Sequence, residues 1–555
     1  MIAYTTLLLF FIGTIGYAKV STKYDKILSF VMLASLCAVF AHFYEDMVTG
    51  INHTFSFVWN SSPGGDIKID IISNLHNYEL IFPFFVMTLS AVFFNQLFKY
   101  EERRSQYNSV LCFNLAALIV MITSNNFVQL LSAVFIIDIL ALFLIRNWSA
   151  YRRFALMNFA ADMMLFTILA MINCKVDSLD LRQILMYKKT GFHINEIALL
   201  GLTCVFIKTG FFLFHLSLAD LKNVRMHRLQ CILFLSAPIS ALILLLKFHL
   251  LWQASPYFIP FLKFECVTTI AFGFWNFCRL DNIKSKLIGL QTAFWALLIL
   301  LLSFNGFIWD KRINFLLLQN FVVFGCFYLI YFHMNRPNLL SSLSEKKIGN
   351  KSSVIAAVCI LTASVAAMAG TLTAIYNNSN RYYIWGFGPI FVILSALFCR
   401  RILWTLQQKT FSARQSGKFL PSLFLTSLAV VLSKDLMTTD LIAWIFPLVF
   451  LLICIIPVKH PLKFSVQDNQ TDAVSALYKY ILIRPIKLCG RLLWLWVDRM
   501  LVEKLILGLI ITFARSCLRL FRRAHSNGLI GALIVIIFTC LLLWSSFLNG
   551  EIGNV

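Results

Sequence analysis

The chain has 555 residues, of which 59% are hydrophobic and only 13% charged, and its mean hydropathy is +0.79. A soluble domain carries about 25% charged residues, so a soluble globular enzyme is excluded. Apolar runs of about 18 residues, each able to cross a ~30 Å hydrocarbon core as a helix, recur along the whole chain and indicate a polytopic membrane protein.

Apolar periodicity and breakers predict membrane helices near 2–18, 27–44, 79–98, 109–123, 126–145, 154–172, 197–218, 230–250, 257–277, 287–308, 313–333, 353–376, 383–399, 419–433, 440–457 and 527–548, about sixteen in all. The first run is followed by Lys19, Lys23 and Lys26; a signal peptide carries its charge ahead of its apolar stretch, so this run reads as a first membrane helix. Basic clusters follow the odd-numbered helices, among them Lys99/Arg103/Arg104, Arg146/Arg152/Arg153, Lys222/Arg225/Arg228, Arg279/Lys284/Lys286 and Lys346/Lys347/Lys351. Those loops are expected on the cytoplasmic or matrix side, with both termini opposite. Lys188/Lys189 and Lys311/Arg312 run against the rule.

Residues 459–526 break the pattern, because Arg484, Lys487, Arg491, Asp498, Arg499, Glu503 and Lys504 are too many charges for a buried span. Interleaved with Leu, Ile and Trp, they suit an amphipathic helix lying along the membrane surface before the last span.

The formal net charge of +23 is explained by the loop clusters. No basic stripe interleaved with exposed aromatics accompanies it, so no nucleic-acid partner is expected. The fourteen cysteines are scattered through apolar segments, without the C-x-x-C spacing of a zinc or redox site, and no metal is expected. P-loop, dinucleotide and H-E-x-x-H motifs are absent.

An ionisable group at the centre of a membrane helix costs about 2.5–3.5 kcal/mol on insertion scales, so each one demands a reason. Asp138 interrupts helix 5, and Asp162 lies in helix 6 on the same face as Asn158. Lys208 sits in helix 7, with His215 two turns along on roughly the same face, and Lys247 and His249 end helix 8. A buried carboxylate, lysine and histidine supply the parts of a proton relay. They also suit a static ion pair pinning helices together, with His215 a structural histidine and Lys247 reaching for the interface.

The segment Lys208-Thr-Gly-Phe-Phe-Leu-Phe-His215-Leu-Ser-Leu-Ala219-Asp220 resembles, without a gap, the pattern K-S-A-Q-x-P-L-H-x-W-L-P-D-A of the antiporter-like subunits of respiratory complex I. Lys208, His215 and Asp220 are kept, while Leu213 and Ala219 replace the two prolines. Asn158-Phe-Ala-Ala-Asp162 is similar to the N-R-I-G-D motif of the large distal subunit, usually called subunit 5 or L. Asp281 to Leu287 resembles its D-I-K-R-V-L, and Val497-Asp498-Arg499 resembles its Y-D-K. The resemblance implies an all-α polytopic fold of about sixteen transmembrane helices. Residues 1–108 would be N-terminal membrane helices, 109–457 an antiporter-like core, 458–526 the lateral surface helix region and 527–555 a C-terminal transmembrane helix.

The resemblance further implies a membrane-arm subunit of a proton-translocating NADH:quinone oxidoreductase. The chain would bind no cofactor itself, and its partners would be other membrane subunits and the bilayer of a bacterial or mitochondrial inner membrane. Lys208, Asp162, Asp138 and His215 are its candidate relay, with Lys247 and Asp220 as further candidates. The departures matter as well. The family's helix 5 glutamate falls on Phe135, with Asp138 expected on the same face; its helix 8 histidine falls on Leu233, and its helix 11 lysine on Val323. Predicted helices 10 to 15 hold essentially no mid-span charge, so the exit half of the family's proton path is missing. Two rivals follow: a subunit of a multisubunit cation/proton antiporter, and a scaffold that no longer conducts.

Overall fold

The computed structural model describes residues 2–17, 22–49, 53–62, 65–98, 103–145, 148–173, 180–186, 194–279 and 283–304, with pieces between 306 and 325 and the single residues Leu488 and Arg491. The chain divides into two compact units, Met1–Gln467 and Asp468–Val555, and the elements below belong to the first. They are α1 (Ile2–Tyr17), α2 (Thr22–Thr49), β1 (His53–Ser62), β2 (Gly65–Ser73), α3 (Leu75–Phe98), α4 (Arg104–Thr123), α5 (Phe127–Ile145), α6 (Trp148–Asn173), α7 (Leu181–Met186), α8 (Ile194–Thr209), α9 (Leu216–Ala219), α10 (Met226–Leu235), α11 (Ala237–Trp252), α12 (Phe258–Arg279) and α13 (Ile283–Phe304).

Among the described residues seven helical segments are long and apolar enough to cross a membrane, with α10 and α11 together forming one of them. The protein is therefore an integral membrane protein. Helices form in every span predicted before residue 309, two of them interrupted as described below. The predicted spans from 353 onward and the lateral helix region 458–526 lie outside the described residues, apart from Leu488 and Arg491.

Three features depart from the all-α expectation and its helix boundaries. First, β1 and β2 pair antiparallel from His53–Ser73 to Ser62–Gly65, with an irregularity between Val58 and Asn60. Its signal is local: Pro63-Gly64-Gly65 is a breaker run, and the apolar/polar alternation from Asp66 to Ile71 has the period of a strand.

Second, the helix predicted over 197–218 stops at Thr209. Gly210 adopts φ +69°, its N–H donates to the Ile207 carbonyl (3.2 Å), and the Phe211 N–H donates to Phe206 (3.0 Å). With the Phe206 and Phe211 rings stacked at 5.5 Å, this is a complete Schellman stop, which glycine permits and a Cβ disfavours.

Third, the helix predicted over 230–250 breaks at Ser236 (φ −123°, ψ −126°), because Pro238 lacks an N–H and its ring clashes with the carbonyl of residue 234. The carbonyls freed inside the membrane find side-chain donors on neighbouring helices. Leu235 accepts from Asn114 Nδ2 of α4, and Leu233 accepts from Trp295 Nε1 of α13 at 3.1 Å. Unsatisfied backbone in lipid costs several kcal/mol, so an intramembrane break persists only where such partners exist.

Polar contacts gather the basic loops at one end of the helices. Asp25 of α2 accepts the Arg104 N–H at the start of α4 (2.8 Å), which places a carboxylate at a helix N-terminus where the dipole favours it. Arg228 donates to the Leu144 carbonyl at the end of α5 (3.2 Å), Lys284 donates to Val224 (2.9 Å), and Arg153 pairs with Asp220 at 3.2 Å. Single cysteines at positions 103 and 225 are thus expected to react with an impermeant thiol reagent from the same side of sealed vesicles. Modification from opposite sides would refute the arrangement.

Candidate functional site

Lys208 occupies the last turn of α8, where the helix dipole presents its negative end and a cation is favoured. Its side chain is fully buried. Two carboxylates from two other helices meet it there. Lys208 Nζ donates to Asp138 Oδ2 of α5 and lies 2.8 Å from Asp162 Oδ1 of α6, and both aspartate side chains are under a tenth exposed. The Asp162 contact is an ion pair by distance, but its angles fall short of a hydrogen bond.

The cluster thus holds two carboxylates for one ammonium. Among the described residues, the other Asp138 oxygen and the side-chain oxygen of Asn158, one turn before Asp162, are buried without hydrogen-bond partners. Cys204, one turn before Lys208, is buried beside them. An ammonium held between two acceptors on separate helices can shift toward either one without losing its counter-charge. That makes the arrangement competent for moving charge as well as for pinning helices.

The remaining predicted site residues are not gathered here. His215 is separated from Lys208 by the Gly210 stop, so the two do not lie on one face of one helix. Its Nδ1 is 2.6 Å from the Phe212 carbonyl, and its ring packs 4.5 Å from that of Phe272 in α12. The Lys247 ammonium donates to the Ser124 carbonyl at 2.6 Å and caps the C-terminus of α4 from α11. His249 packs 5.2 Å from Phe307. Asp220 pairs with Arg153 at the basic end.

Phe135 is 43% exposed and Asp138 5%: a three-residue step leaves the two about 60° apart around the helix, with Phe135 at the outer edge and Asp138 turned into the bundle. The sequence-derived set also omits Glu265, buried in α12. The insertion-cost criterion that singles out Asp138 applies equally to this carboxylate inside the predicted 257–277 span.

No protein-family model matches the chain, and no curated protein matches its sequence. Solved structures do match its fold. The "Structure of Mrp complex from Dietzia sp. DQ12-45-1b" contains a chain that aligns at a TM-score of 0.63 over 100% of this chain and 63% of that one, at 13% identity. "Respiratory complex I from Thermus thermophilus with bound NADH" contains one that aligns at 0.59 over 79% of this chain and 100% of that one, at 14% identity. The protein thus spans about 63% of the length of the Mrp-complex chain it matches. Identities this low speak for the fold alone. The protein shares its fold with chains of an Mrp complex and of respiratory complex I, the fold expected from the segment around Lys208.

Proposed function

We propose that this protein is a membrane subunit that moves protons across the bilayer, with Lys208 as the charge carrier between Asp138 and Asp162. The observation that supports this most directly is the buried lysine itself, held by carboxylates from two different helices. A static pair needs one carboxylate per ammonium. A second acceptor on a separate helix lets the charge change partners when α5 and α6 shift relative to α8.

In this reading the signal that moves the helices arrives from neighbouring subunits of a complex I-like assembly. Redox groups belong to those partners, and the chain binds none. Asp220 and Arg153 tie the segment after Lys208 to the helix that carries Asp162, and His215 lies between the two in sequence.

The second reading is a subunit of a multisubunit cation/proton antiporter, since the same fold occurs in a chain of an Mrp complex. Native purification of the tagged chain, with its co-purifying subunits identified, separates the two. Redox subunits are expected for the first reading and further antiporter subunits for the second. Reconstitution of the purified assembly in vesicles tests both, because each requires proton movement. An intact assembly without proton movement would leave the scaffold reading in possession.

A further inference from the structure

The stop at Gly210 creates a difficulty that α12 solves. Beyond the stop, residues Phe212–Phe214 form a single 3-10 turn, and a helical turn opens with N–H groups that have no partner inside it. Here these are the Phe212 and Leu213 N–H groups, within a stretch predicted to cross the membrane, where a backbone donor without an acceptor is costly. The Phe212 N–H donates to Thr269 Oγ1 at 3.0 Å. The Leu213 N–H faces the buried carboxylate of Glu265, one oxygen of which has no hydrogen-bond partner among the described residues.

Thr269 and Glu265 are one turn apart on α12 and both are buried. Phe272 continues the same face, and its ring packs 5.0 Å from Phe212 and 4.5 Å from His215. In the motif that this segment resembles, a proline stands at the place of Leu213. Proline has no N–H and leucine has one, so the substitution adds a donor, and the Glu265 carboxylate is the acceptor group that faces it.

We infer that Glu265 and Thr269 are positioning residues for Lys208, an inference that rests on the reading of Lys208 as the charge carrier. By presenting acceptors to the two N–H groups they hold the turn after Gly210 in place, and with it the last turn of α8, so that the Lys208 ammonium stays between Asp138 and Asp162. Thr268 lies beside the arrangement: its hydroxyl donates to the Glu265 backbone carbonyl at 3.0 Å and sits 3.4 Å from Glu265 Oε2. The role needs an acceptor oxygen at 265 and at 269, and no proton exchange at either.

That requirement sets the test. Glu265→Gln and Thr269→Ser keep an acceptor, whereas Glu265→Ala and Thr269→Val remove it. The first readout is independent of transport: alkylation of the buried native Cys204, one turn before Lys208, measured by peptide mass spectrometry on the full-length protein in detergent. Losing a buried acceptor should raise the local opening, and hence the alkylation rate at Cys204, by about tenfold in the Ala and Val variants. The Gln and Ser variants should stay near the unmodified protein.

The second readout is proton movement in vesicles, which should fall with the Ala and Val variants and be retained by the Gln and Ser variants. Unchanged Cys204 alkylation in both Glu265→Ala and Thr269→Val would overturn the inference. So would loss of transport in Glu265→Gln with Cys204 still protected, since Glu265 would then act through its proton. If the alkylation pattern holds while no variant, nor the unmodified protein, moves protons, the positioning role stands and the transport reading fails.

Discussion

Lys208→Ala is expected to abolish proton movement by the reconstituted assembly, and Lys208→Arg to reduce it by at least about tenfold. The alanine variant leaves Asp138 and Asp162 facing each other without a counter-charge, and removing one partner of a buried ionic cluster costs about 3–5 kcal/mol. Some loss of assembled protein should therefore accompany its loss of transport. The arginine variant separates charge from chemistry, because guanidinium keeps its positive charge at any accessible pH and cannot release a proton. It should restore assembly without restoring transport. A static ion pair predicts the opposite, with assembly and activity both retained by arginine. The measurement is acidification of vesicles containing equal amounts of assembled protein. If both variants assemble and transport at the unmodified rate, Lys208 carries no switch and the scaffold reading prevails.

Gly210→Val is expected to be the most destabilising single change at the site that leaves its charges untouched. The residue adopts φ +69°, where an L side chain costs roughly 1–2 kcal/mol. A Cβ there would lie 2.5 Å from Leu218 Cδ1 and 2.7 Å from Leu218 Cγ. Leu218 is buried and cannot swing clear, and overpacking of this kind costs about 1–3 kcal/mol more. The thermal midpoint in detergent should fall by several degrees. Gly210→Ala should show a smaller fall. Combining Gly210→Ala with Leu218→Ala should cost less than the sum of the two single changes, since the second removes the clash that the first creates. Gly210→Val with an unchanged midpoint would show that the left-handed cap does not terminate α8.

Both experiments act on features of differing legibility in the sequence. That Lys208, Asp138 and Asp162 require partners follows from the cost of ionisable groups in apolar helices, and the structure pairs them with one another. Gly210 is plainly visible as a residue, yet an isolated glycine in an apolar run is equally compatible with a continuous membrane helix. What receives the backbone beyond the stop lies some fifty residues away, where Thr269 accepts the Phe212 N–H and the Glu265 carboxylate faces Leu213. Likewise Pro238 marks a disturbance in its own helix, but the donors that satisfy the Leu233 and Leu235 carbonyls come from α13 and α4.

The sequence by itself determined that the protein lives in a membrane, roughly where its membrane helices run up to residue 309, and that its buried charges need counter-charges. Composition and local periodicity encode these properties, because lipid demands apolar side chains and internal backbone hydrogen bonds wherever the chain crosses it. Only the tertiary structure decided that two aspartates meet one lysine, that Asp138 points inward while Phe135 points outward, that His215 lies beyond a helix stop, and that Lys247 caps α4. In a membrane helix nearly every face is apolar, so hydrophobic periodicity cannot say which face meets protein and which meets lipid. The partners of a buried charge or a broken helix are set by how helices distant in sequence pack.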